Sequence, residues 1–126
     1  MISKLIFHLD NESFKGGAIA LFTSSINMES VDFRNNAADL AGHIFLSTCN
    51  GTISYTNFIR GTATTSGGCI VIHGTSSTEF DNCNISNCIA DSNGSGILLQ
   101  VDSSPIFNNC TISWEHNIIL NIQNIF

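Results

Sequence analysis

The chain is written in short stretches where apolar residues alternate with small or polar ones, each bounded by Gly, Asn, Ser and Thr. The clearest is Gly16-Gly17-Ala18-Ile19-Ala20-Leu21. It recurs as Ala41-Gly42-His43-Ile44-Phe45-Leu46, as Gly67-Gly68-Cys69-Ile70-Val71-Ile72 and as Gly94-Ser95-Gly96-Ile97-Leu98-Leu99. Ile19, Ile44, Ile70 and Ile97 form one column with spacings of 25, 26 and 27 residues, and Leu21, Leu46, Ile72 and Leu99 form a second. Alternation with period two predicts a strand with one buried face.

Two further apolar columns follow in each unit. Met28, Ile53, Phe80 and Phe107 make one, and Phe33, Phe58, Ile85 and Ile112 make the other. Between them Ser30, Tyr55, Asn82 and Asn109 align, as do Val31, Thr56, Cys83 and Cys110. Each unit therefore reads as two or three short strands separated by turns, and no stretch has helical length or period. A unit of this length without a helix is too short for a propeller blade, and the Leu-rich pattern of a leucine-rich repeat is absent. A parallel β-helix fits: each unit makes one coil, and equivalent residues stack about 4.8 Å apart along the axis. The paired glycines then mark a corner that needs tight or positive-φ backbone.

Three full coils are expected at 16–41, 42–67 and 68–94 and a fourth at 95–117. Residues 1–15 read as the end of a preceding coil, and 118–126 as an apolar terminal strand with no polar cap. The expectation is a single β-helix segment spanning 1–126, four to five coils and only about 20 Å tall, cut from a longer solenoid whose neighbouring coils would be its first partners.

Composition narrows the function. The chain has 126 residues, 43% apolar and 11% charged, which excludes an intrinsically disordered chain and argues against a soluble helical bundle. A net charge of −6 with only Lys4, Lys15, Arg34 and Arg60 as cations excludes a nucleic-acid partner. No apolar run reaches the roughly 20 residues of a membrane-spanning helix, so the chain is not itself membrane-spanning. The first ten residues lack the long apolar core and cleavage site of a signal peptide, so an export signal would lie outside this chain. Low charge suits ladders, where stacking like charges at every coil would be costly.

The markers GGxI and FxxN, seen in Gly16-Gly17-Ala18-Ile19, Gly67-Gly68-Cys69-Ile70 and Phe33-Arg34-Asn35-Asn36, resemble the repeats of chlamydial polymorphic outer membrane proteins and related pectin-lyase-like surface proteins. Phe58-Ile59-Arg60-Gly61, Phe80-Asp81-Asn82-Cys83 and Phe107-Asn108-Asn109-Cys110 depart from FxxN at the last position, and Ala41-Gly42 and Gly94-Ser95 each lack one glycine. The resemblance covers about residues 7 to 116. It implies an all-β, right-handed parallel β-helix, non-enzymatic, at the cell surface or outside the cell, serving adhesion or structural presentation to a glycan or host-surface protein. The alternative is a fragment of a carbohydrate-active β-helix lyase or hydrolase.

For that alternative the weak catalytic candidates are Glu29 and Asp81, which share an outward column with Ser54 and Asn108. They fall two coils apart, about 9 to 10 Å, near the upper separation of an inverting carboxylate pair. No Arg-rich strand accompanies them, and a solvated face is the simpler reading. His43 and Cys69 share another outward column, but His73 lies about 13 Å along its strand, and two ligands make no zinc site. No metal and no cofactor is expected. Cys83 over Cys110 allows a disulfide or a ladder of small buried thiols, the second being the simpler. Cys49 and Cys88 fall at turns without an evident partner. Phe22, Phe45 and Val71 lie near the outward face of the Ile strands, where a ligand platform and a lateral contact to further structure explain them equally well. Asn11, Asn50, Asn84, Asn93 and Asn109 open Asn-x-Ser/Thr acceptors, glycosylation candidates in a eukaryotic secreted protein.

Overall fold

The computed structural model describes residues 5–8, 12–92, 94–100, 102–113 and 121–122, with side chains described between 14 and 113. The sequons at Asn11 and Asn93, and most of the expected terminal strand 118–126, lie outside the described residues. The fold is an all-β, right-handed parallel β-helix of about four turns.

Each of the coils 16–41, 42–67 and 68–94 contributes four strands, not two or three, and three are described in 95–117. The first sheet stacks β3 (Ile19–Phe22), β7 (Ile44–Ser47), β11 (Ile70–His73), β15 (Ile97–Leu99) and β18 (Asn121–Ile122). The second stacks β4 (Ser25–Glu29), β8 (Asn50–Ser54), β12 (Ser77–Asp81) and β16 (Ile106–Asn108). The third holds β1 (Leu5–His8), β5 (Val31–Arg34), β9 (Asn57–Ile59), β13 (Asn84–Ser86) and β17 (Thr111–Ser113). The fourth holds β2 (Glu12–Lys15), β6 (Ala37–Leu40), β10 (Thr62–Ser66) and β14 (Ile89–Ala90). This fourth strand has little apolar alternation, so the sequence pattern hides it among the turns.

All four apolar columns are in register. Ile19 pairs with Ile44, Ile44 with Ile70 and Ile70 with Ile97. Met28 pairs with Ile53, Ile53 with Phe80 and Phe80 with Phe107. Phe33 pairs with Phe58, Phe58 with Ile85 and Ile85 with Ile112. Phe33 and Phe58 stack with ring centroids 5.0 Å apart and parallel planes, and Phe80 stacks on Phe107 at 4.8 Å. Phe33, Phe58, Phe80 and Ile44, Ile70 and Ile97 of the Ile ladder are fully buried, with Ile19 partly buried at its end, so the core is a continuous rod of like side chains instead of a globular cluster.

Every corner turns through the left-handed region. The corner before the first sheet uses Gly16, Ala41, Gly67 and Gly94, with φ from 60° to 68°. Beside it, Gly17, Gly42 and Gly68 are required for a different reason: a Cβ there would press into the carbonyl of the next coil at Gly42, Gly68 and Ser95. The GG marker thus encodes one positive-φ residue and one close approach of backbones. Thr23, Thr48 and Gly74 turn the next corner, Ser30, Tyr55, Asn82 and Asn109 the third, and Asn35, Arg60 and Asn87 the fourth. Phe33-Arg34-Asn35-Asn36 and Phe80-Asp81-Asn82-Cys83 share one local design: an inward ring, an outward polar residue, a left-handed corner and a buried side chain. That shared design makes them look alike although they belong to different sheets.

Candidate functional site

Over β7, β11 and β15 the first sheet is buried on both faces, which corrects the expectation of a single buried face there. Ile44, Leu46, Ile70 and Ile72 fill the interior, while Phe45, Val71 and Leu98, pointing the other way, pack with Ala41 and Leu40 from the end of the fourth-sheet strand. Phe45 and Val71 are therefore buried and form no open platform; of the expected trio only Phe22 is exposed, at 53%. Around it lie Phe14, 65% exposed, and Lys15, whose Nζ sits 5.8, 5.9 and 5.2 Å from the ring centroids of Phe14, Phe22 and Phe45. Phe22 and Phe45 are 5.6 Å apart, and Phe45 stacks at 6.3 Å on His73, whose Nδ1 is 3.3 Å from Ser47 Oγ.

His43 and Cys69 do stack as neighbours, since the His43 N–H donates to the Cys69 carbonyl, but both side chains face inward and are buried. The first corner has turned them off the outer face. His43 Nε2 donates to the Ile59 carbonyl at 3.1 Å, so Nδ1 accepts the Asn36 side-chain N–H at 3.1 Å. The ring packs between Phe33 and Phe58, with centroids 5.8 and 6.2 Å away. Burial pulls its pKa down to about 4, against a smaller upward pull from the Ile59 hydrogen bond. With both nitrogens engaged, His43 is a structural residue. Among the described residues no group of three or more His, Cys, Asp or Glu is placed to hold a metal.

Cys69 is disulfide-bonded to Cys88, with Cα atoms 5.5 Å apart. This overturns the expectation that Cys88 lacks a partner, and of the two readings of Cys83 and Cys110 it leaves the ladder of thiols and not the disulfide. Cys83 and Cys110 are free thiols, as is Cys49. Each reaches back to a carbonyl of the coil before: Cys83 Sγ donates to Ile53 at 3.4 Å, and Cys110 Sγ to Phe80 at 3.3 Å. Burial pushes the Cys83 thiol up to about 12, which leaves it a poor nucleophile.

Asn36, Gly61 and Cys88 form one interior column, as Thr62 N–H donates to the Asn36 carbonyl and Ile89 N–H to that of Gly61. Ala18, His43, Cys69 and Gly96 form the column facing it. Successive coils thus fill the same narrow space with Ala18 and Asn36, with His43 and Gly61, and with Cys69 and Cys88. A Cβ at Gly61 would press into the Gly68 carbonyl and lie 2.9 Å from His43 Cδ2 and 3.0 Å from Cys69 Sγ.

The carboxylate candidates do share a column: Glu29 pairs with Ser54, Ser54 with Asp81 and Asp81 with Asn108. The Asn108 amide donates to Asp81 Oδ1 at 2.8 Å and to Glu79 Oε1 at 3.1 Å. The outward residues beside them are Asn27, Thr52, Glu79 and Ile106, with no cation in either row. Arg34 pairs with Asp32 at 3.5 Å, and Arg60 Nε donates to Asn35 Oδ1 at 2.7 Å, both on the third sheet and its corner. Of the sequon residues, Asn50 and Asn109 are exposed and Asn84 is half-buried within β13.

No known family, curated protein or solved structure matches the chain. The likeness to polymorphic outer membrane protein repeats therefore rests on the GGxI and FxxN markers themselves, whose structural meaning is the corner geometry described above. Among the described residues no helix is long and apolar enough to cross a membrane.

Proposed function

We propose that this β-helix is an exported, surface-displayed module that serves adhesion or structural presentation and carries no catalysis of its own. The observation that carries the reading is the Cys69–Cys88 disulfide in the coil interior, because such bonds form and persist in oxidising compartments and are rare in the cytosol. The low charge, the side-chain ladders along the outer faces and the GGxI and FxxN markers support the same reading. They favour a relationship to polymorphic outer membrane protein-like and pectin-lyase-like surface proteins.

The second reading, a carbohydrate-active enzyme, is favoured by Glu29 and Asp81 on one column. Against it, the amide of Asn108 holds Asp81 and Glu79 together, and no Lys, Arg or His stands in their rows to act as base or substrate clamp. The test combines two assays. The chain displayed on beads is expected to attach to cell surfaces, and incubation with polysaccharides is expected to release no oligosaccharide. Product release that Asp81→Asn abolishes would replace the first reading with the second.

A further inference from the structure

The outer edge of the first sheet carries a row that the adhesive reading leaves without a role. Phe22 pairs with Ser47 and Ser47 with His73, and Gln100, whose N–H donates to the Ile72 carbonyl, continues the row on the next coil. One open phenyl ring is thus followed along the axis by a hydroxyl, an imidazole and a carboxamide, stepping about 4.8 Å per coil. Ser47, His73 and Gln100 are each partly exposed. Ser47 and His73 fix one another through Oγ and Nδ1, which leaves Nε2 as the ring's second hydrogen-bonding atom.

The adjoining row, Phe45, Val71 and Leu98, is buried and packs in one cluster with Ala41 and Leu40. Among the described residues, that row therefore offers no open apolar area to serve as the core that a protein partner would bury. The open row is aromatic at one end, where Ala20 is exposed beside Phe22, and hydrogen-bonding along the rest, with Phe14 and Lys15 flanking the aromatic end. A linear saccharide has the matching chemistry: its ring C–H faces pack on a phenyl group, and its hydroxyl edges exchange hydrogen bonds with Ser, His and Gln. The row contains no carboxylate and no guanidinium, and a chain of net charge −6 repels polyanions.

We propose that the outer edge of the first sheet binds a neutral linear saccharide, laid along the solenoid axis over Phe22, Ser47, His73 and Gln100. The proposal rests on the adhesive reading and names its ligand class and site. Calorimetric titration of the whole chain with cellohexaose and with chitohexaose, and with a hyaluronan hexasaccharide as the anionic comparison, tests it. At least one neutral hexasaccharide is expected to bind and hyaluronan is not. Phe22→Ala and His73→Ala are each expected to weaken binding about fivefold or more, while Tyr55→Asn on a distant corner leaves it unchanged. Failure of both neutral hexasaccharides to bind, a preference for hyaluronan, or binding unaltered in Phe22→Ala and His73→Ala would overturn it. Cell attachment that persists in Phe22→Ala overturns the site and leaves the adhesive reading standing, whereas a chain that attaches to no surface removes that reading itself.

Discussion

Asn36 donates its side-chain N–H to Nδ1 of His43 across 3.1 Å, joining one coil to the next through the buried interior. The imidazole is held as the Nε2–H tautomer by its bond to the Ile59 carbonyl, so a second proton would have to displace Asn36 in a space lined by Phe33 and Phe58. The folded chain therefore disfavours the imidazolium.

Acid should destabilise the fold through this residue. The pKa of His43 is about 4 when folded and 6.5 as a free side chain. Between those values the unfolded chain binds a proton that the folded chain refuses, so the contribution is complete above pH 6.5 and is lost as pH falls through 4. A loss of about 3 kcal/mol is expected. Urea midpoints measured between pH 7.5 and 4 should shift accordingly, and His43→Gln, which cannot titrate, should flatten that dependence; an unchanged profile in His43→Gln would refute the assignment.

The Cys69–Cys88 bond closes a loop with a sequence separation of 19. Replacing both cysteines by serine is expected to cost about 3 kcal/mol, from the greater freedom of the unfolded chain. Alkylation of the denatured, unreduced protein followed by intact-mass measurement should count three modified thiols, on Cys49, Cys83 and Cys110. Five would show that the bond does not form.

Gly61 is expected to tolerate no side chain. Gly61→Ala forces its methyl group against the Gly68 carbonyl, His43 and Cys69, all fixed by neighbouring coils. Destabilisation of about 2 kcal/mol or more should appear in thermal or urea unfolding. A neutral outcome would mean that these interior layers can shift past one another.

Tyr55 makes the opposite case. It sits at φ 49° with its side chain 62% exposed, in a corner column otherwise occupied by Ser30, Asn82 and Asn109. Asn adopts the left-handed region more readily than a bulky aromatic residue. Tyr55→Asn is thus expected to stabilise the fold by about 0.5 to 1 kcal/mol, read as a raised unfolding midpoint, and a lowered midpoint would contradict the strain argument.

Phe58 stacks on Phe33 at 5.0 Å and meets the edge of Phe80 at 6.4 Å. Phe58→Ala opens a cavity in the middle of the rod, where coils above and below are pinned by their backbone ladders and cannot collapse into it. A cost of about 3 to 5 kcal/mol is expected. Phe107→Ala, at a partly exposed position, should cost less, and equal losses would argue against a continuous rod.

The sequence by itself determined the repeat, the β class and the register. Ile19 over Ile44 over Ile70, Phe33 over Phe58, and Glu29 aligned with Asp81 were all legible, because parallel stacking turns a sequence spacing of one coil directly into spatial contact. The GG marker was legible as a corner for the same reason. What column arithmetic cannot reach is the cross-section of a coil. Cys69 meets Cys88 across the interior of a single coil, at a separation unrelated to the repeat. His43 turns inward because the corner at Ala41 and Gly42 precedes it, and period-two alternation carries no information across a left-handed residue. Phe45 and Val71 face outward from their strand, yet they are buried in a second cluster with Ala41, Leu98 and Leu40, a packing that strand alternation does not encode. Tertiary structure alone decided which outward face stayed open, leaving Phe22, Ser47, His73 and Gln100 at its edge.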